Sequence, residues 1–208
     1  MFFETNSDRL RAGIAANLEA FDTRLLPTSR LKKAAVAIAV TTDEAGQPAF
    51  FLTKRATRLN RNSGQWALPG GRADPGEDAV TAALREMHEE IGVRLLPSQV
   101  LGRLDDYPTR SGYCITPVVV WAGPGIEAMA NPDEVARLYR IPLAALAADT
   151  VVEMVAVGDS EHPMIRLRLV GNQIHAPTAA LIYQFREVAL AGRPTRVADL
   201  VQPGWTAR

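Results

Sequence analysis

Between Gly70 and Val93 the chain reads GGRADPGEDAVTAALREMHEEIGV, and Arg85-Glu86-Met87-His88-Glu89-Glu90 sets three carboxylates within two helical turns. Glu86 and Glu90 are spaced i and i+4, so a helix stacks them on one face, and Glu89 flanks that face at i+3 from Glu86. Charges this close either repel one another in solvent or share a cation. Magnesium takes oxygen ligands, keeps several waters and completes its shell from a substrate phosphate. Carboxylates on adjacent turns make a partial shell of that kind, and a carbonyl from the Gly70-Gly71 turn can add to it, because glycine lets backbone approach a ligand. A cation held there offsets the charge of a diphosphate and activates or orients an attacking water. Arg85, four residues before Glu89, can hold that carboxylate by an ion pair. The plain alternative is a solvated acidic face.

The helix that carries these groups is expected over 77–91. Val80, Leu84, Met87 and Ile91 give it one apolar face, and Gly92 suits its C-terminal cap. Upstream, AAVAIAV (34–40) and AFFLTKR (49–55) read as buried strands joined in a hairpin, and 56–67 reads as a polar, basic loop. Downstream, strand-like segments are expected over 98–107, 113–121, 138–141, 151–157 and 164–170, with a short helix after Pro142. Amphipathic helices are expected at both ends, over 7–21 and over roughly 177–191, and the Pro- and Gly-rich stretch from Gly192 should be loosely held. The order predicts an α/β or α+β sandwich. Residues 1–30 would form a helical extension packed on a domain spanning 31–208.

The 208 residues are 47% hydrophobic and 22% charged, enough for one sizeable core. Basic and acidic residues balance at 23 each, so neither nucleic acid nor an anionic membrane is an expected partner. The single cysteine, Cys114, forms no internal disulfide and is expected to be buried, which suits the cytoplasm. Charges interrupt the N-terminal run throughout, and no stretch has the length of a membrane span. The oligomeric state is left open, a homodimer included.

The spacing Gly71, Glu77, then Arg85-Glu86-Met87-His88-Glu89-Glu90-Ile91-Gly92-Val93 resembles the Nudix box, with no position missing. The resemblance implies the Nudix fold, a mixed β-sheet between α-helices, and Mg²⁺- or Mn²⁺-dependent hydrolysis of a diphosphate linked to another moiety. By position, Glu86, Glu89 and Glu90 correspond to metal ligands. One of them, or a later glutamate such as Glu134, would be the general base. Arg85 and Glu77 would orient the ligands. His88 falls at a variable position and is expected on the surface.

The flanks resemble the coenzyme A pyrophosphatase branch. Leu52-Thr53-Lys54-Arg55-Ala56, Gly64 and Leu68-Pro69-Gly70-Gly71 follow one of its motifs, with Asn60 where the branch usually has arginine and Leu68 in place of phenylalanine. Tyr107-Pro108-Thr109-Arg110-Ser111-Gly112, Ile115-Thr116-Pro117, Asn131-Pro132-Asp133-Glu134-Val135 and Ile141-Pro142-Leu143 match further segments. His175 and Ala176 depart from the branch near the end. A CoA-like substrate carries a 3′-phosphate besides its diphosphate, and Arg55, Arg58 and Arg61 offer forked donors suited to phosphates, beside Gly70 and Gly71. The expected products are 4′-phosphopantetheine and adenosine 3′,5′-bisphosphate. Asn60 favours the rival substrates ADP-ribose, NADH or an oxidised nucleotide. A ligand-sensing domain that does not cleave is the rival of another class, although such domains often lose box carboxylates and this chain keeps all of them.

Overall fold

The computed structural model describes residues 7–27, 31–56, 64–158 and 160–204. The helix α1 (Ser7–Glu19) precedes a hairpin of β1 (Lys32–Thr42) and β2 (Pro48–Arg55). Then come β3 (Trp66–Ala67), β4 (Gly70–Arg72) and α2 (Ala79–Ile91). The strands β5 (Val100–Arg103), β6 (Tyr107–Pro108), β7 (Tyr113–Gly123) and β8 (Val135–Pro142) complete the main sheet. A smaller sheet holds β9 (Val152–Val155), β10 (Met164–Leu169) and β11 (Asn172–His175), and α3 (Thr178–Gln184) runs on into a π-helical turn, Phe185–Leu190.

The main sheet has the order β3-β2-β1-β7-β5, with β4 on β1, β6 on β7 and β8 on β2. Strands β1 and β7 are parallel along ten register pairs, whereas the β1–β2 hairpin and the β2–β8 pair are antiparallel. The sheet is therefore mixed, with helices on both faces.

The two faces differ because side chains alternate along a strand. On β1, Ala35, Ala37 and Ala39 meet α2, which answers with Ala82, Ala83, Leu84, Met87 and Ile91. Small residues on both sides let the helix come close. The opposite face carries Ile38, Val40, Phe50 and Leu52 into a larger core with Ile14 and Leu18 of α1 and with Ile182 and Phe185 near the C-terminus. The last helical segment buries Ala180, Ile182, Phe185, Val188 and Ala189, the residues its periodicity had selected. None of the described helices is long and apolar enough to cross a membrane.

Trp66–Ala67 and Gly70–Arg72, expected in a loop and a turn, are strands, and three further expectations need correction. The acidic helix begins at Ala79 rather than 77, because Asp78 caps it by accepting from the Thr81 N–H at 2.8 Å. Residues 172–175 form a further strand, β11, paired antiparallel with β10 through a turn at Val170-Gly171. The described part of the stretch from Gly192, residues 192–204, is pinned, not loose. Arg196 meets Asp105 at 2.7 Å, the Tyr107 hydroxyl donates to the Leu200 carbonyl at 2.9 Å, and Val197 is buried.

Candidate metal and phosphate site

The site begins with two glycines. Gly70 pairs with Val36 and Gly71 with Ala35, bringing β4 against β1 under the end of α2. A Cβ on Gly70, where φ is +155°, would stand 2.3 Å from the Ala35 carbonyl oxygen. A Cβ on Gly71 would stand 2.5 Å from the Glu86 carboxylate. The first glycine permits the strand pairing, and the second leaves the space the carboxylate occupies.

The helix α2 ends at Gly92, whose left-handed φ of 71° and N–H bond to the His88 carbonyl close the last turn. The loop before β8 is tied to that end, since the Met129 N–H donates to the Ile91 carbonyl at 2.9 Å and the Asn131 N–H to the Glu90 carbonyl at 2.8 Å. The Ala56 N–H in turn donates to the Glu134 carbonyl at 2.9 Å. These ties carry Glu134 to α2, so that Glu86, Glu90 and Glu134 each present an oxygen within 4.8 Å of the others.

Helical spacing thus brought Glu86 and Glu90 together, as expected, but the third member of the cluster is Glu134. Glu89 lies outside it. Its side chain is 47% exposed and is held by Arg85 at 2.9 Å. Arg85 uses its full fork: Nε and Nη2 donate to the two oxygens of Glu77 at 3.0 Å each, Nη1 to Glu86 at 3.0 Å, and Nη2 also to the Arg72 carbonyl at 2.9 Å. That hydrogen bond from Arg85 holds the Glu77 carboxyl below its ordinary range.

Glu90 is in the opposite condition. It is 1% exposed, and burial pushes its pKa up to about 8 despite the Gly70 N–H, which donates to Oε2 at 3.1 Å. Burial also raises Glu86, against the pull of Arg85. Arg55 reaches Glu90 Oε1 with Nη1 at 3.4 Å. Glu90 is thus buried with one distant cationic partner, and three carboxylates brought this close suit a hard divalent cation. The residues fit the metal that the box implies, with Glu86, Glu90 and Glu134 able to hold it. The carbonyl of Gly71 lies on the adjoining strand.

Beside the cluster opens a cavity of about 460 Å³. Arg55, Gly70, Gly71 and Arg72 line the side nearest the carboxylates, with Trp66 of β3. Thr109, Ser111 and Tyr113 line it too, and Arg72 lies 5.2 Å from the Tyr113 ring. Thr178 adds the start of α3 and donates to the Trp66 carbonyl at 2.9 Å. Sequence reasoning assigned no role to Trp66, Arg72 or Tyr113. Their neighbours in the chain, the glycine pair and the Tyr107–Gly112 segment, were the available signal. Arg55 does reach the cavity, whereas Arg58, Arg61 and Asn60 lie outside the described residues. His88 stays out of the cluster and accepts from Arg94 Nε at 2.8 Å. Cys114 is buried, and desolvation pushes its thiol up to about 12.

Comparison with known proteins bears on the family. A family model described as the NUDIX domain matches residues 31–155. The chain is 40% identical over 99 residues to an uncharacterized Nudix hydrolase NudL of Photorhabdus laumondii, covering 47% of this chain and 53% of that one. It is 41% identical over 98 residues to an uncharacterized Nudix hydrolase NudL of Yersinia pestis, covering 47% and 49%. The chain therefore spans about half the length of the curated relatives it matches. Among solved structures, a MutT NUDIX hydrolase from Burkholderia pseudomallei is similar at 21% identity and a TM-score of 0.46, over 74% of this chain and 96% of that one. The matched span holds the glycine pair, the acidic helix and Glu134 alike, and on that ground the chain belongs to the Nudix family.

Proposed function

We propose that the protein is a Mg²⁺- or Mn²⁺-dependent pyrophosphohydrolase that cleaves the diphosphate of coenzyme A or a CoA derivative, giving 4′-phosphopantetheine and adenosine 3′,5′-bisphosphate. The observation that carries the reading is the cluster of Glu86, Glu90 and Glu134, with Glu90 buried and the other two half-buried, beside a cavity lined by arginines. A bound divalent cation would supply charge neutralisation for the diphosphate and lower the barrier to water attack. The chain's own residues do the rest. Glu86 is oriented by Arg85, and Glu90 by the Gly70 N–H. Glu134 is half-buried where Glu90 is sealed, and it takes the proton of the attacking water. Glu89 holds Arg85 in place from the outer side of the helix. Arg55 and Arg72 meet the phosphate oxygens, and the cavity excludes bulk water around them. A cytoplasmic location belongs to the same reading, since CoA-type substrates are intracellular and Cys114 is an unpaired thiol.

The CoA preference rests on the branch segments 107–112 and 131–135, which supply cavity residues and Glu134. The rival substrates rest on Asn60. The test is a panel of CoA, acetyl-CoA, ADP-ribose and NADH with Mg²⁺ or Mn²⁺, products identified by mass. The expected result is the two CoA fragments, formed fastest from CoA or its thioester. If CoA is no better than ADP-ribose, the substrate assignment fails. If no diphosphate is cleaved, the non-catalytic sensor is the better account.

A further inference from the structure

Arg55 is badly matched to the place it occupies. Its Nη1 lies 3.4 Å from Glu90 Oε1, longer than the 2.7–2.9 Å of a good charge-assisted bond. Its Nε is sealed from solvent and has no acceptor among the described residues. Arg85, on α2 in the same site, uses Nε and both terminal nitrogens on carboxylates and a carbonyl. The backbone of Arg55 is held by its N–H bond to the Gln65 carbonyl at 2.9 Å and by its pairing with Val135 of β8. Only the side chain can exchange partners, and the side chain both touches Glu90 and lines the cavity. A guanidinium has two edges of parallel N–H donors, and here the edge that includes Nε is idle.

Resting on the metal-dependent reading above, we propose that Arg55 is an exchangeable counter-ion. In the metal-free protein it is the cation that faces Glu90. When a divalent cation takes that carboxylate, Arg55 is released and turns its idle edge onto a diphosphate oxygen in the cavity. Metal and nucleotide binding are then positively coupled through one side chain, and by reciprocity each tightens the other. The arrangement also keeps the phosphate-binding arginine occupied until the metal is loaded.

Binding measurements on the full chain test this without catalysis. Mn²⁺ alone is followed by the electron paramagnetic resonance of the free ion, and α,β-methylene-ADP, an uncleaved diphosphate, by calorimetry with and without Mn²⁺. Arg55→Gln should bind Mn²⁺ alone about fivefold or more tighter than wild type, having lost the competing cation. It should bind the analogue about tenfold weaker once Mn²⁺ is present. Arg55→Lys keeps the charge and loses the fork, so it should leave Mn²⁺ affinity near wild type and still weaken the analogue. A wild type that binds Mn²⁺ and the analogue, with Arg55→Gln changing neither or weakening both, overturns the exchange and leaves the metal site standing. If the glutamine variant does not fold, an Arg55→Lys protein that keeps wild-type affinity for the analogue overturns it equally. A wild type that binds no Mn²⁺ overthrows the metal-dependent reading together with this one.

Discussion

Asp105 and Asp106 are 3% and 5% exposed, close to the 1% of Glu90, yet the two acidic regions are built in opposite ways. Asp105 accepts from the Arg24 N–H at 2.8 Å, Arg196 Nη1 at 2.7 Å and Gln184 Nε2 at 2.8 Å. Asp106 accepts from the Thr116 hydroxyl and from the Leu26 N–H at 2.9 Å. All four aspartate oxygens are met, and the donors come from β7, the stretch after α1, α3 and the C-terminal stretch. This knot fastens the stretch after α1, α3 and the C-terminal residues to the strands. Glu90 has a loose arginine, one backbone N–H and two other carboxylates for company. Buried charge that is fully paired holds a fold together, and buried charge left short of partners is a place for a ligand.

Four measurements can break or sharpen this contrast. The largest effect is expected from Glu90→Gln, which should lower kcat/KM by roughly 10²- to 10³-fold through loss of a metal-holding oxygen. The same variant should leave thermal stability of the metal-free protein at pH 8 unchanged or higher, because an amide is easier to bury than a charge. Asp105→Ala should do the reverse. It strands Arg196, Gln184 and a backbone N–H and should cost about 3 kcal/mol in denaturant unfolding, with kcat of the folded protein preserved. If Glu90→Gln were as destabilising as Asp105→Ala, the two regions would not differ in kind.

Gly71→Ala comes next. Its Cβ would push on the Glu86 carboxylate, so activity should fall roughly 10- to 100-fold, as for other losses of ligand orientation, and Mg²⁺ affinity should fall with it. Equal activity in this variant would mean that Glu86 need not stay where it lies.

The smallest expected effect is on pH dependence. Glu90 is near 8 in the folded chain against an ordinary 4.5, so the folded state holds the extra proton. Its contribution to stability is fully present below about 4.5 and is lost as pH rises through about 8. Glu86, also raised, acts in the same sense. In EDTA the melting temperature should therefore decline from pH 5 to pH 9. Mg²⁺ should reverse the decline most strongly at the alkaline end, where it no longer displaces a proton. A melting temperature independent of pH in EDTA would remove the basis for calling Glu90 under-compensated.

Much of this protein is legible from local pattern. The alternation of Ala with Val and Ile over 34–40, the apolar face of α2 and the Gly92 stop each depend on residues a few positions apart. Strand and helix geometry convert such spacing directly into position. The same locality joined Glu86 to Glu90 and Arg85 to Glu89, because a helical turn is all that separates them. The box spacing carried the family as well.

The membership of the carboxylate cluster was a different matter. Spacing placed Glu89 with Glu86 and Glu90, and Glu134 was the later glutamate offered as a base or an extra ligand. Tertiary structure exchanged the two: the arginine fork draws Glu89 to the rim, and backbone bonds from Ala56 and Asn131 draw Glu134 in. The partner of Arg55 and the fastening of the C-terminal stretch were decided the same way. Burial and the supply of hydrogen-bond partners are properties of the packed chain, set by residues far apart in sequence. The carboxylate spacing therefore belongs to the sequence, and the choice of which carboxylates lack partners belongs to the fold.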